Sequence, residues 1–259
     1  VLVNQTSTGG DALALMGGVD AISNGTVGIH YNLTAADLAA ACITESESMY
    51  NGGAGANLAL TAGGDAALLM GTNALANLLS SGYVGGFGGF LLGAAEDLIP
   101  VDEPEFNNNG AAGLRAEMTS TGGDVLFNID GVIARANTNN GLNLVLNAPA
   151  GDILGYLGHA AASDNGGNGI NLDLTGAGGT LDIWLDRLTT ARNDVNGLNV
   201  VENYNGTVLL GGERIVSVNN VGNGVRLVMS GLTVPTLDFG GGLLGSTGNS
   251  SIYGNGNRD

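Results

Sequence analysis

The chain has no lysine, a single cysteine, a single tryptophan, four prolines and few charges, and each shortage removes a class of protein. Cys42 alone cannot build a disulfide framework, so the folded state has to come from burial, and the redox compartment stays open. Seven arginines face 24 acidic residues, for a formal net charge of -17. Nucleic acid and anionic membrane surfaces are repelled by such a charge, which leaves cations and neutral polymers as ligands. No window reaches the ~18 uninterrupted apolar residues of a membrane span. The opening VLVNQTSTGGD lacks the charged-then-apolar pattern of an export signal, so the chain reads as a mature piece or an excerpt.

What is abundant is glycine and asparagine, 47 and 30 of the 259 residues. The glycines do not fall at every third position, which excludes collagen, and the 44% apolar content, recurring in register, argues against disorder. Laid against itself, the chain puts Gly28, Gly55, Gly82, Gly113, Gly141, Gly169, Gly197 and Gly224 at one position of a repeat near 28 residues. The residues that follow alternate with a strand's period of two, as in GLNLVLN from Gly141 and GINLDLT from Gly169. Leu142, Leu144 and Leu146 thus share one buried face. Four residues before the glycine stand Asn24, Asn51, Asn109, Asn137, Asn165, Asn193 and Asn220. Six residues after it stand Thr34, Thr61, Thr119, Asn147, Thr175, Asn203 and Ser230. Side chains of this kind satisfy backbone groups at bends and bond to their own type when stacked at strand spacing, so both columns read as structural ladders.

A second strand follows a glycine-rich turn, as in GGDALALM from Gly9 and GGDVLFNI from Gly122, and a third, shorter segment returns to the Asn column. Three strands and three bends per repeat predict an all-β fold: a right-handed parallel β-helix, a solenoid of about nine coils. Residues 1–259 form a single solenoid with an inserted loop at 82–112, either an excerpt of a longer chain or a subunit of a fibre. Leucine-rich repeats are excluded because the LxxLxLxxN core is absent. The Ala-rich pieces at 35–42 and 74–81 are compatible with helix. Apolar residues on both faces of the second strand, Leu13, Leu69, Leu126 and Leu154 among them, call for a cover from the insertion or a neighbouring chain.

The pattern N-x-x-x-G-φ-x-φ-x-φ-[T/N/S], where φ is an apolar residue, together with the GGD turns, resembles the large β-helix repeat proteins and adhesins of bacterial cell surfaces. The resemblance covers most of the chain and lies in the style of the repeat. It implies the fold, export and a structural or adhesive role.

Chemistry is sought on that frame. The NTD, DD, GHG and RIK motifs of pectin-degrading β-helix enzymes are missing, with only Gly158-His159-Ala160 in place of GHG. Asp124 and Asp152 fall eleven residues past their glycines, so they stand ~5 Å apart on neighbouring strands, the separation of a retaining glycosidase pair. Asp11 and Asp65 fill the same place in other coils, which favours a turn-forming role. Asp182, Trp184 and Asp186 in LDIWLD face outward together as a carbohydrate contact. The acidic residues Asp97, Asp102, Glu103 and Glu105 offer oxygen ligands that suit calcium; no other cofactor is implied. His30 and His159 are too far apart in the repeat for zinc. Cys42 aligns with Met70 and Ile129 as a buried inward residue, and Glu202 falls at an inward position where either the carboxylate has a partner or the strand frays, fraying being the expectation.

The function expected is an extracellular or cell-surface structural or adhesive scaffold, a rod or fibre built by coil stacking, and not an enzyme. The alternative is a polysaccharide lyase, glycosidase or carbohydrate-binding module working along one face. An enzyme is expected to concentrate unlike polar groups in a few coils. Val1 enters in mid-repeat, and IYGNGNRD reads as the start of another turn, so self-association with another subunit or with neighbouring repeats is the expected partnership, with carbohydrate as a further partner.

Overall fold

The computed structural model describes residues 1–71 and 103–256. Over these residues the chain is an all-β parallel solenoid. Each coil contributes one strand to each of three sheets, and each sheet stacks eight strands in parallel. One coil shows the plan: Leu142–Ala148 in the first sheet, Ile153–Gly158 in the second and Ala161–Ser163 in the third. Every strand pairs with its equivalent one coil away, Leu142 with Leu114 on one side and Ile170 on the other. Alternation in the first strand is what permits this. Leu142, Leu144 and Leu146 are fully buried, as are Ile170, Leu172 and Leu174 beside them, so identical apolar rows stack into one continuous core. Each such side chain contributes about 1.5–3 kcal/mol on burial.

The solenoid has about seven coils, fewer than the nine expected, and the register gives the reason. The strand Ala56–Ala62 pairs directly with Leu114–Ser120. Gly113 therefore follows Gly55 directly in the first sheet, and Gly82 lies outside the described residues. The expected loop at 82–112 re-enters the solenoid earlier than its stated end, because Glu105–Asn107 already forms a strand of the third sheet. The expected cover from this loop, and the Ala-rich piece at 74–81, lie outside the described residues. The other Ala-rich piece is not helical: Ala39–Thr44 is a second-sheet strand buried throughout. No helix of the described residues is long and apolar enough to cross a membrane.

The Asn column is a hydrogen-bonded ladder running the length of the solenoid. In each rung the backbone N–H and the Nδ2 of one Asn both donate to the Oδ1 of the Asn in the next coil. Asn137 reaches Asn165 at 3.1 and 3.0 Å, and Asn165 reaches Asn193 at 3.1 and 2.9 Å. The second hydrogen of Nδ2 goes to a third-strand carbonyl, Ala134 O for Asn165 and Ala162 O for Asn193. The buried amides are thus satisfied by protein alone. An eighth rung, Asn255, accepts from Asn220 at 2.9 Å through both donors. It corrects the reading of the last segment as the start of a new turn: Ser251–Tyr253 closes the coil opened by Gly224.

Two backbone features depend on the ladder. A Cβ at Gly141 would stand 2.8 Å from Asn165 Nδ2 and 2.6 Å from Gly169 O, so the repeat glycine is where the next coil's amide passes too close for any side chain. The residue just before each ladder Asn adopts a left-handed φ whatever its identity: Ser23, Tyr50, Asn108, Ala136, Asp164, Arg192 and Asn219 lie between 53° and 58°. For an L-residue this costs about 1–2 kcal/mol, and the bonds on either side hold it there.

The Thr column is in register but is no ladder. Thr34, Thr61 and Thr175 point outward and are exposed, and among the described residues the threonines of the column make no hydrogen bond to one another. Asn140, Asn168, Asn196 and Asn223 form a second ladder instead, one place before the glycine, with backbone amide and Nδ2 donating to the preceding coil's Oδ1.

Two stability changes follow. Asn165→Ala removes four buried hydrogen bonds and strands their partners, so it should cost about 3 kcal/mol or more in denaturant unfolding, against less than about 0.5 kcal/mol for the exposed Thr175→Ala. Ala136→Gly relieves the left-handed strain and should raise stability by up to about 1 kcal/mol in the same measurement.

Candidate functional site

The repeat places acidic residues at two bends, and they behave differently. At the bend between the first and second strands, Asp124 Oδ1 accepts the Asp152 backbone N–H at 2.8 Å, and Asp152 Oδ1 accepts that of Thr180 at 2.6 Å. Asp65 does the same for Asp124 at 2.9 Å and Asp11 for Leu38 at 3.2 Å. Asp124 and Asp152 therefore sit one coil apart as members of a column that satisfies backbone amides. Beside it the buried Tyr204 hydroxyl lies between the carbonyls of Gly151 and Gly178, and burial, with Asp152 and Asp124 nearby, pushes its pKa up to about 12.

At the bend between the second and third strands the polar residues are unlike one another. Asp130, Gly158, Asp186 and Glu213 occupy one register position in successive coils. The next position holds Gly131, His159, Arg187 and Arg214, all with left-handed φ. Asp130, 1% exposed, meets His159 Nδ1 at 2.6 Å, and Asp186, 5% exposed, meets Arg214 Nη2 at 2.7 Å and Nε at 2.8 Å. Arg187 directs a guanidinium nitrogen at His159 Nε2, the ring nitrogen opposite the one that faces Asp130. Each base thus reaches back to an earlier coil, so the bend is a charge-assisted ladder of mixed composition.

Asp182, Trp184 and Asp186 share the outward face of the strand Thr180–Asp186, as their alternation requires. Asp182 is exposed and Trp184 partly so, but Asp186 is buried by its Arg214 pair, and the Tyr156 hydroxyl donates to its other oxygen at 3.4 Å. Burial holds the Asp182 carboxyl above its ordinary range. For Tyr156, burial and then the charges of Asp130 and Asp186 keep the phenol protonated. Of the calcium set, Asp97 and Asp102 lie outside the described residues. Glu103 packs beside Gly131, and Glu105 accepts the Asn107 side-chain amide at 2.7 Å. Among the described residues no group of three or more His, Cys, Asp and Glu is placed to hold a metal.

Two buried residues correct their sequence readings. Cys42 pairs with Leu15 and Leu69, one place out of the expected column, which turns it to the outward face. There it packs with Leu38, Ala40, Ala67, Leu69 and Leu126 in a second apolar cluster, against which Leu13 and Leu154 rest. Burial pushes its thiol up to about 11. The strand Leu198–Tyr204 does not fray at Glu202. This carboxylate, 2% exposed, turns to accept the backbone N–H of Tyr204 and, at 3.4 Å, that of Gly231.

Sequence reasoning missed the second acidic column, although Asp130 and Asp186 each follow their repeat glycine by seventeen residues and the alignment could have been carried that far. It also missed Asp238, which gathers four backbone N–H groups from its own following loop: Gly240 and Gly242 on Oδ1, Leu244 and Ser246 on Oδ2, at 2.8–3.2 Å. No protein-family profile matches the chain, and no significant similarity to a curated protein or to a solved structure is found.

Asp238 carries a pH dependence. Burial opposes its charge, but the four amides together hold the carboxyl below its ordinary range. A depressed folded-state pKa contributes stability that is full above the unfolded value, ~3.9, and is lost as pH falls through the folded value. Asp238→Asn should therefore destabilise the chain at pH 7, and the gap to the parent should close under acid, as followed by thermal unfolding across a pH series.

Proposed function

We propose that this chain is an extracellular or cell-surface structural element, a stiff solenoid with a scaffold or adhesive role. The observation that carries the reading is the unbroken Asn24-to-Asn255 ladder. Every described coil commits an asparagine amide, buried from Asn51 to Asn220, to holding that coil to the next, which is what stiffness along an axis requires. The sheets support the same reading, since all 24 strands of the described residues pair in parallel between neighbouring coils. Each column accepts a further rung of the same pattern, so further coils, or another copy of the chain, are the natural partners along the axis. The resemblance in repeat style to bacterial surface adhesins points the same way. The charge of -17 suits a surface that resists lateral clumping.

Immunogold labelling of intact source cells tests this proposal. Label on the cell exterior or on extracellular fibres is the expected result, and label confined to the cytoplasm would overturn it.

A further inference from the structure

The outward face of the second sheet changes character along the solenoid. In the early coils it is apolar, from Leu13 through Ala40 and Ala67 to Leu126. In the later coils the same face and the bend beside it carry aromatic and unlike polar groups, each coil different from the last. The two Asn ladders repeat one residue type, and the outward positions around Trp184 do not. Unlike groups gathered in neighbouring coils are the arrangement of a ligand site. We propose that Trp184 and Tyr156 form a stacking platform for a neutral glycan, whose hydroxyls are held by Asp182 and Arg187.

The platform is built from the glycines around it. Trp184 is in register with Gly211, and a Cβ there would overlap the six-membered ring, so the indole lies over the Gly211 backbone. One face of the ring rests on the strand and the side chain stays partly exposed. Tyr156 pairs with Trp184 one strand spacing away, ~4.8 Å, and folds along its own strand over Gly158, with its hydroxyl directed at Asp186. The Asp186–Arg214 and Asp130–His159 pairs beneath fix this side of the sheet. Two rings at adjacent rungs make an apolar strip suited to the C–H face of a sugar.

Polar groups on either side supply what a pyranose needs. The exposed Asp182 carboxylate makes no hydrogen bond among the described residues, and Arg187, also exposed, has no carboxylate within salt-bridge distance among them. Asp182 is an unbonded acceptor two residues before Trp184, and Arg187, three residues after it, turns one guanidinium nitrogen to His159 and has further N–H groups to offer a ligand. Charge decides the class of sugar. Asp130, Asp182, Asp186 and Glu213 outnumber Arg187 and Arg214, in a chain already at -17, so uronates and sulfated glycans are repelled and neutral hexoses are not. The site is independent of the scaffold reading and would give that scaffold something to adhere to.

Trp184 is the chain's one tryptophan, so its fluorescence reports on this site alone. The parent chain would be titrated with neutral gluco-, manno-, xylo- and chito-oligosaccharides and, in parallel, with oligogalacturonate. A saturable change in emission with at least one neutral series, and none with the uronate, is expected. Calorimetry should then show binding weakened at least ~10-fold by Trp184→Ala and reduced by Asp182→Asn, with circular dichroism confirming that both variants fold. No saturable response to any neutral series at millimolar concentration, preference for the uronate, or undiminished binding by a folded Trp184→Ala chain would each overturn the proposal.

Discussion

The side-chain amide of one asparagine bonding to the same amide a coil away is the interaction on which the rest of this structure depends. It works only if successive coils stay at one strand spacing and in one register, because both donors of a rung must meet the same Oδ1. Three other regularities follow. The glycine four residues later is small because the next coil's Nδ2 passes over it. The residue before the Asn is left-handed because the chain must turn sharply to aim the amide along the axis. The first strand then starts at a fixed place, which is why its apolar side chains stack into unbroken rows. A buried amide with any bond missing would be a liability, and here each is satisfied on both sides, so the polar spine and the apolar core reinforce one another.

That coupling explains what could be read directly from the chain. The ladder, the glycine column and the alternation after it are locked together at fixed offsets, so they show as a period in the sequence and led to the solenoid. What was missed lies where spacing changes or where one place matters. Gly82 matches the glycine column in sequence, but the strands that follow Gly55 and Gly113 pair directly, which spacing alone does not show. Asn255 was hidden because the Asp238 loop lengthens its coil. Cys42 was assigned to the wrong face by a single-residue offset in a strand with apolar residues on both faces, where alternation gives no guide. Glu202 looked uncompensated because its partners are backbone amides, which sequence does not display.

The same contrast separates structure from function along the second sheet. Asp124 and Asp152 belong to a column that repeats, and their carboxylates answer backbone amides from coil to coil. Asp182 and Trp184 belong to coils in which the column rule breaks, and they face outward beside the Asp186–Arg214 pair and Arg187. A sequence under selection only for stacking has little reason to place its one tryptophan and two of its arginines there, when asparagine serves as a rung elsewhere. Deviation from the repeat, more than any single motif, marks the face where chemistry is to be sought.

The Asn rungs act as one cooperative spine and not as separate local bends. A double-mutant cycle on Asn137→Ala and Asn165→Ala, read by denaturant unfolding, tests it most directly. Adjacent rungs that share bonds should be coupled by about 1 kcal/mol or more. Additivity within about 0.3 kcal/mol would mean that the rungs act separately.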